Sequence, residues 1–306
     1  MNLSEPWVEP RVRVNATLQD KPVLRIGVPH RSGKLCSTAS RAGLPVMVSA
    51  SAYWLRDAGR FTDDSPSELQ NCDFALDSAG FTAMANWKRQ GHQAGMLGIY
   101  PWTLSDYVRL VGRLRPAWWS QADCCVEPQL ASDAGTRANR LEATEAMLAA
   151  SLILVDRWQQ LGAPWIAPPV PVLQGWLPSE YRESLERMLR TWEKDGAAFD
   201  PPALVGVGSM CRRPVDDPDV GILAVLDDLL PHLPTGMKLH LFGVKSTAMA
   251  RLASMPQIAS FDSMAWDVAA RFEAGRTGGP NTLARRGASM LKWYDRQQQH
   301  LGGIAA

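Results

Sequence analysis

The chain has 306 residues, 46% of them hydrophobic, enough for one large or two ordinary domains, and this excludes a disordered or fibrous chain. Its 32 Lys and Arg against 31 Asp and Glu leave a formal charge of +1, so any contact with nucleic acid must come from a local basic patch rather than a polycationic surface. No run of about 18 apolar residues is present, which excludes a membrane-spanning helix.

In chain order, residues 1–10 carry Glu and Pro and lack the apolar centre of a signal peptide. Residues 11–29 (VRVNATL, then PVLRIGVP) read as a β-hairpin, part of an N-terminal cap over residues 1–44. Strands are predicted at 45–49 (PVMVS), 73–77 (DFALD), 118–123 (WWSQAD), 169–174 (PVPVLQ), 203–208 (ALVGVG), 238–243 (KLHLFG) and 258–262 (IASFD). Helical periodicity covers 104–114, 136–161, 180–194, 220–230 and 247–254. A C-terminal helical segment spans 267–306, with a loop at 275–280 and a last helix over 281–301.

Strands alternating with helices imply a parallel sheet joined by crossovers. No GxGxxG follows the first strand, which weakens a doubly wound dinucleotide-binding sheet. Seven βα units in a row match the size of a (β/α)₈ barrel, as one domain over residues 1–306. The eighth strand is not evident. The five cysteines (Cys36, Cys72, Cys124, Cys125, Cys211) are odd in number and show no CxxC. They fit a reducing compartment and give no zinc-ligand spacing. The expected location is the cytoplasm.

Polar residues fall at the C-terminal ends of the predicted strands: Asp77, Asp123, Gln174 and Asp262, with Gly206, Val207 and Gly208 ending the fifth. In a barrel these ends share one mouth, where active sites are built. One such Asp alone reads as a helix N-cap; three with a Gln at the same end are harder to explain by capping. Metal-assisted hydrolysis normally wants grouped histidines, and the five here are scattered, with only His240 on a predicted strand. Chemistry at an anomeric carbon needs one carboxylate to attack and another to move protons.

Six segments in order resemble the tRNA-guanine transglycosylases over residues 45–265. Asp77-Ser78-Ala79-Gly80-Phe81 is similar to the family's DSGGF, and Ala122-Asp123 to its base-reading Asp. Leu173-Gln174-Gly175 resembles VQG and residues 205–208 resemble VGG. Phe242-Gly243-Val244 resembles MGVG and Phe261-Asp262-Ser263 resembles FDC. The CxCxxC zinc site is missing, since no Cys follows Cys211, and Met264-Ala265-Trp266 replaces the PTR segment. The zinc-less pattern is most similar to the DNA-acting branch, the deazapurine DNA modification protein A family.

That resemblance implies a modified TIM barrel without a zinc subdomain. It implies a pentosyltransferase that needs no cofactor and exchanges guanine in DNA for a 7-deazaguanine such as preQ0. Asp262 is then the nucleophile on C1′ and Asp77 the general acid/base. Asp123 accepts from guanine's N1–H and amine, while Gln174 and an amide within Gly206–Gly208 donate to O6. Ser78 touches the base or orients Asp77. Phe81 and Phe242 either sandwich the base or are ordinary packing. Lys245, Arg212 and Arg213, with Arg285 and Arg286 as weaker candidates, hold the DNA backbone or are solvated charges. Three other readings stay open: a tRNA-acting transglycosylase, a hydrolytic N-glycosylase, and a non-catalytic barrel that binds nucleic acid or nucleobase. A homodimer is also left open.

Overall fold

The computed structural model describes residues 21–64, 68–70 and 72–302. Residues 1–20, with the first half of the expected hairpin, lie outside the described residues. Eight strands run parallel in one sheet: β1 (Val23–Val28), β2 (Val46–Ser49), β5 (Phe74–Asp77), β6 (Trp118–Trp119), β7 (Val172–Leu173), β8 (Leu204–Val207), β9 (Lys238–Leu241) and β10 (Ile258–Ser263). Between β2 and β5 sits a small antiparallel pair, β3 (Trp54–Leu55) and β4 (Arg60–Phe61).

The strand order is β6-β5-β2-β1-β10-β9-β8-β7. The two edges then meet through a parallel bridge between Ser120 and Val170. There the Gln121 amide donates to the Val170 carbonyl (3.0 Å) and the Val170 amide to the Trp119 carbonyl (2.8 Å). The Gln121 side chain extends the ladder by accepting from the Val172 amide at 3.1 Å. The sheet is therefore an α/β barrel of the modified TIM type.

The expected hairpin over residues 11–29 is corrected. Val23–Val28 lies between β2 and β10, parallel to both, and is the eighth barrel strand. Leu24, Ile26 and Val28 are buried on one face. Arg25, on the other, is drawn inside because Asp73 neutralises it, with bidentate bonds of 3.0–3.1 Å. A charged residue mid-strand is thus satisfied by a partner 48 positions away.

Helices α1 (Lys34–Arg41), α2 (Gly80–Gln90), α3 (Leu104–Leu114), α4 (Ala134–Gln160), α5 (Pro178–Asp195), α6 (Ile222–Leu229), α7 (Ser246–Ala253), α8 (Ala265–Thr277) and α9 (Leu283–Gly302) accompany the strands. Local chemistry sets several starts. Thr103 and Asp106 form a reciprocal capping box on α3, and Asp133 caps α4 through the Thr136 amide at 2.8 Å. Helix α8 runs into the expected 275–280 loop and stops where Gly278 turns left-handed.

Registers place Val172, Gly206, His240 and Ser260 in one row facing the interior, with Arg25 beside Asp262. On the far side Gly27, Met47, Ala75 and Trp118 form a second row, paired one to the next. Trp118 crosses the interior to meet His240 edge-on, with ring centroids 4.8 Å apart, and the Arg25 guanidinium lies 5.4 Å from the Trp118 centroid. The barrel centre is thus plugged below the mouth.

Candidate active site

The strand ends bring Asp77, Ser78, Asp123, Gln174 and Asp262 to the same mouth. Asp77 closes β5, and its Oδ2 accepts the Ala79 amide at 3.0 Å. Ala79 itself takes a left-handed φ of 70°, which turns the chain sharply from β5 into α2. Burial, then the nearby carboxylates of Asp123 and Asp262, push the Asp77 carboxyl up to about 7. At neutral pH it is poised to give or take a proton.

Asp123 follows β6 and is buried. Its Oδ1 accepts from Ser78 Oγ at 2.9 Å, and its Oδ2 accepts from Gln174 Nε2. The Ser78 amide is held by Ser120 Oγ at 2.9 Å, and the Asp123 backbone by Tyr100 Oη on both sides. Burial raises the Asp123 pKa, while the Ser78, Gln174 and Cys125 bonds pull it down. Gly80 is required beside it, since a Cβ there would strike the Asp123 carboxylate.

Gln174 is oriented by Ser209, whose hydroxyl donates to Oε1 at 2.7 Å. That hydroxyl accepts from the Val126 amide at 3.1 Å, so its proton goes to Gln174. The amide orientation of Gln174 follows, with Nε2 turned toward Asp123.

The expected amide donor within Gly206–Gly208 is corrected. The Gly206 and Gly208 amides already donate to the Pro171 and Leu173 carbonyls of the neighbouring strand (2.8 and 2.9 Å), and Val207 lies buried on the opposite face of β8. What Gly206 supplies is space, because a Cβ there would collide with Phe242. The Phe242 ring packs edge-on against His240, with centroids 4.6 Å apart.

Asp262, near the end of β10, is largely buried. Its Oδ1 accepts the Gly243 amide at 2.9 Å and lies 3.4 Å from His240 Nε2.

At the rim, Phe81 is partly exposed with the Arg212 guanidinium 5.5 Å from its centroid. Arg212 and Lys245 are both exposed, and Lys245 Nζ approaches the Arg212 carbonyl at 3.4 Å. Arg213 is corrected. It has no exposed surface, and its guanidinium donates to the carbonyls of Ser209, Gly175, Trp176 and Val220 and to Tyr181 Oη. It clamps the loop after β8 and cannot reach a phosphate. Arg286 is likewise buried, bonded to Asp267 at 2.7 Å.

Sequence reasoning missed Ser120, Tyr100, Ser209 and Glu127, single polar residues whose roles depend on distant partners. Glu127 is buried beside this network, and burial raises its pKa. Among the described residues, no group of three or more His, Cys, Asp or Glu is arranged to hold a metal ion, and no helix is long and apolar enough to cross a membrane.

The modified TIM barrel is consistent with the DNA-acting branch of the tRNA-guanine transglycosylase superfamily. Within it, the family model described as DeoxyPurine in DNA protein A matches residues 30–304, and the chain belongs to that family. Membership implies a transglycosylase that inserts 7-deazaguanine into DNA, with DNA as the substrate partner. A search of curated proteins finds no match.

Proposed function

We propose that the protein exchanges guanine in DNA for a 7-deazaguanine base such as preQ0 by double displacement. Asp262 attacks C1′ as the C1′–N9 bond breaks, and the electron pair leaves with guanine. Asp77 supplies the proton that the departing base needs. The product is a deoxyribosyl ester on Asp262. The incoming base then loses its N9 proton to Asp77 and attacks C1′, and the ester electrons return to Asp262. One C–N bond is broken and one is made, so no cofactor is called for.

The observation that carries this reading is the different dressing of three carboxylates at one mouth. Asp77 is raised to about 7 by burial and its two acidic neighbours, as proton transfer at neutral pH requires. Asp123 is locked by Ser78 and Gln174, with the Cys125 thiol a weak donor to Oδ2 that a base can displace, so its acceptor edge suits guanine's N1–H and amine. Gln174 Nε2 keeps a proton for O6. Guanine and preQ0 present the same edge, so one pocket releases one and accepts the other.

Phe242 over Gly206 offers a floor for the base, and Phe81 at the rim offers the opposing face. Ser78 orients Asp123. Arg212 and Lys245 grip the backbone around a nucleotide drawn out of the stack, which costs a few kcal/mol. Nucleoside analysis of DNA and tRNA after incubation with the protein and preQ0 tests the proposal. The deazaguanine deoxynucleoside in DNA is the expected product. Incorporation into tRNA alone would transfer the protein to the RNA-acting reading, and guanine release without incorporation to the hydrolytic one.

A further inference from the structure

His240 is fully buried on β9, and its two ring nitrogens meet very different neighbours. Nδ1 lies 2.7 Å from Ser260 Oγ. Nε2 faces Asp262 Oδ1 at 3.4 Å and makes no hydrogen bond. Ser260 and Asp262 are two residues apart on β10, so both point inward, and the β9–β10 register sets Ser260 directly beside His240. The other groups around the ring are Trp118 from β6, Phe242 after β9, and Arg25 from β1, itself engaged by Asp73.

Burial lowers the pKa of His240, with Arg25 adding to this and Asp262 opposing it. The ring is therefore neutral and carries one N–H. If that proton sat on Nδ1, the Nε2 lone pair would face a carboxylate oxygen. With Ser260 donating to Nδ1, the proton sits on Nε2 and points at Asp262. At 3.4 Å this contact is longer than a formed charge-assisted bond, and such bonds at catalytic groups commonly tighten as substrate binds.

The Gly243 amide donates to Oδ1 of the Asp262 carboxylate, and His240 Nε2 faces the same oxygen without a formed hydrogen bond. Among the described residues none donates to Oδ2. We infer that His240 is a positioning residue for the attacking carboxylate: together with Gly243 it holds Oδ1 and leaves Oδ2 to attack C1′. After attack, Oδ1 is the carbonyl oxygen of the ester. When the second base displaces Asp262, charge returns to Oδ1 against the same two donors. Ser260 fixes the tautomer. This inference rests on the proposed double displacement.

The test pairs three variants with trapping of the covalent protein–DNA adduct under denaturing conditions. The side-chain nitrogen of Gln falls near the position of His Nε2, whereas that of Asn falls near Nδ1. His240→Leu is expected to slow adduct formation by about tenfold to a hundredfold, the scale of one hydrogen bond to a charged group. KM values for DNA and for preQ0 are expected to stay unchanged. His240→Gln should recover most of the rate and His240→Asn should not. Thermal unfolding of each variant identifies any that fail to fold, and ¹⁵N NMR of the wild-type ring should report a neutral Nε2–H tautomer. Equal rates in wild type and a folded His240→Leu overturn the inference, as does an equal loss in the Gln, Asn and Leu variants, or a ring protonated on Nδ1. Absence of any adduct with the wild-type protein overturns the double displacement itself, and the inference with it.

Discussion

The two arcs of the barrel mouth are built to opposite rules. On the arc from β5 to β8, Ser78, Asp123, Gln174 and Ser209 form one continuous chain of hydrogen bonds, anchored to the Val126 and Ser78 amides. On the arc from β9 to β10, the Gly243 amide bonds one oxygen of Asp262 and the His240 ring faces that same oxygen. Groups that read a base must be fixed before it arrives, because a loosely held acceptor discriminates poorly. A group that must form a bond needs an atom left uncommitted.

Substitutions on each arc test that contrast. Asp262→Ala has the largest expected effect, complete loss of the covalent adduct on denaturing gels with little change in melting temperature. Undiminished adduct in this variant would falsify the assignment of the second arc. On the first arc, Asp123→Asn presents a donor where the base also presents donors. Competition between guanine- and hypoxanthine-containing DNA should show selectivity reduced by up to about 10⁴-fold, the scale reached when a buried polar match is lost.

Asp77→Asn should slow exchange by about 10²-fold or more while adduct remains detectable. The wild-type rate should inflect near pH 7, where Asp77 titrates, and the variant should lose that inflection. Stability carries the same signature. A carboxyl whose pKa is raised in the folded state favours folding below its ordinary pKa, near 4, and loses that contribution as pH rises toward 7. Asp77→Asn should therefore raise the melting temperature at pH 8 relative to wild type, and by less at pH 4.

The smallest effects belong to the rim. Arg212→Ala and Lys245→Ala should each weaken DNA binding uniformly across sequences and lower the salt slope by about one. Arg213→Met should leave the salt slope intact and instead lower the melting temperature, because four carbonyls lose their donor. A salt slope reduced by Arg213→Met would return that residue to the DNA-binding surface.

Most barrel strands were legible because a sheet covered on both faces demands short apolar runs, and the runs ending in Asp77, Gln174 and Asp262 stand out against their flanks. Strand β1 was read as one arm of a hairpin ahead of the barrel, and its place between β2 and β10 was missed because those parallel partners are remote in sequence. Helix α2 was hidden because its entry is a left-handed Ala79 rather than a capping side chain. Asp77, Asp123, Gln174 and Asp262 could be picked out by position at strand ends. Ser209 and His240 could not, since their significance lies in which atom each faces. Arg213 illustrates the converse error: adjacent arginines look alike in sequence, yet Arg212 faces solvent and Arg213 is sealed inside.

The closure between β6 and β7 carries a mechanical consequence. Its ring continuity there depends on the Ser120–Val170 bridge and the borrowed ladder bond of Gln121, so this seam is the interface most readily parted by local opening. Asp123 rises from one lip of the seam and Gln174 from the other, joined by a side-chain bond. A base held by both residues staples the lips together. Occupancy should therefore be written into the amide protons of Gln121, Val170 and Val172, whose hydrogen exchange slows when preQ0 is bound, while protons in the β1–β10 ladder exchange as before.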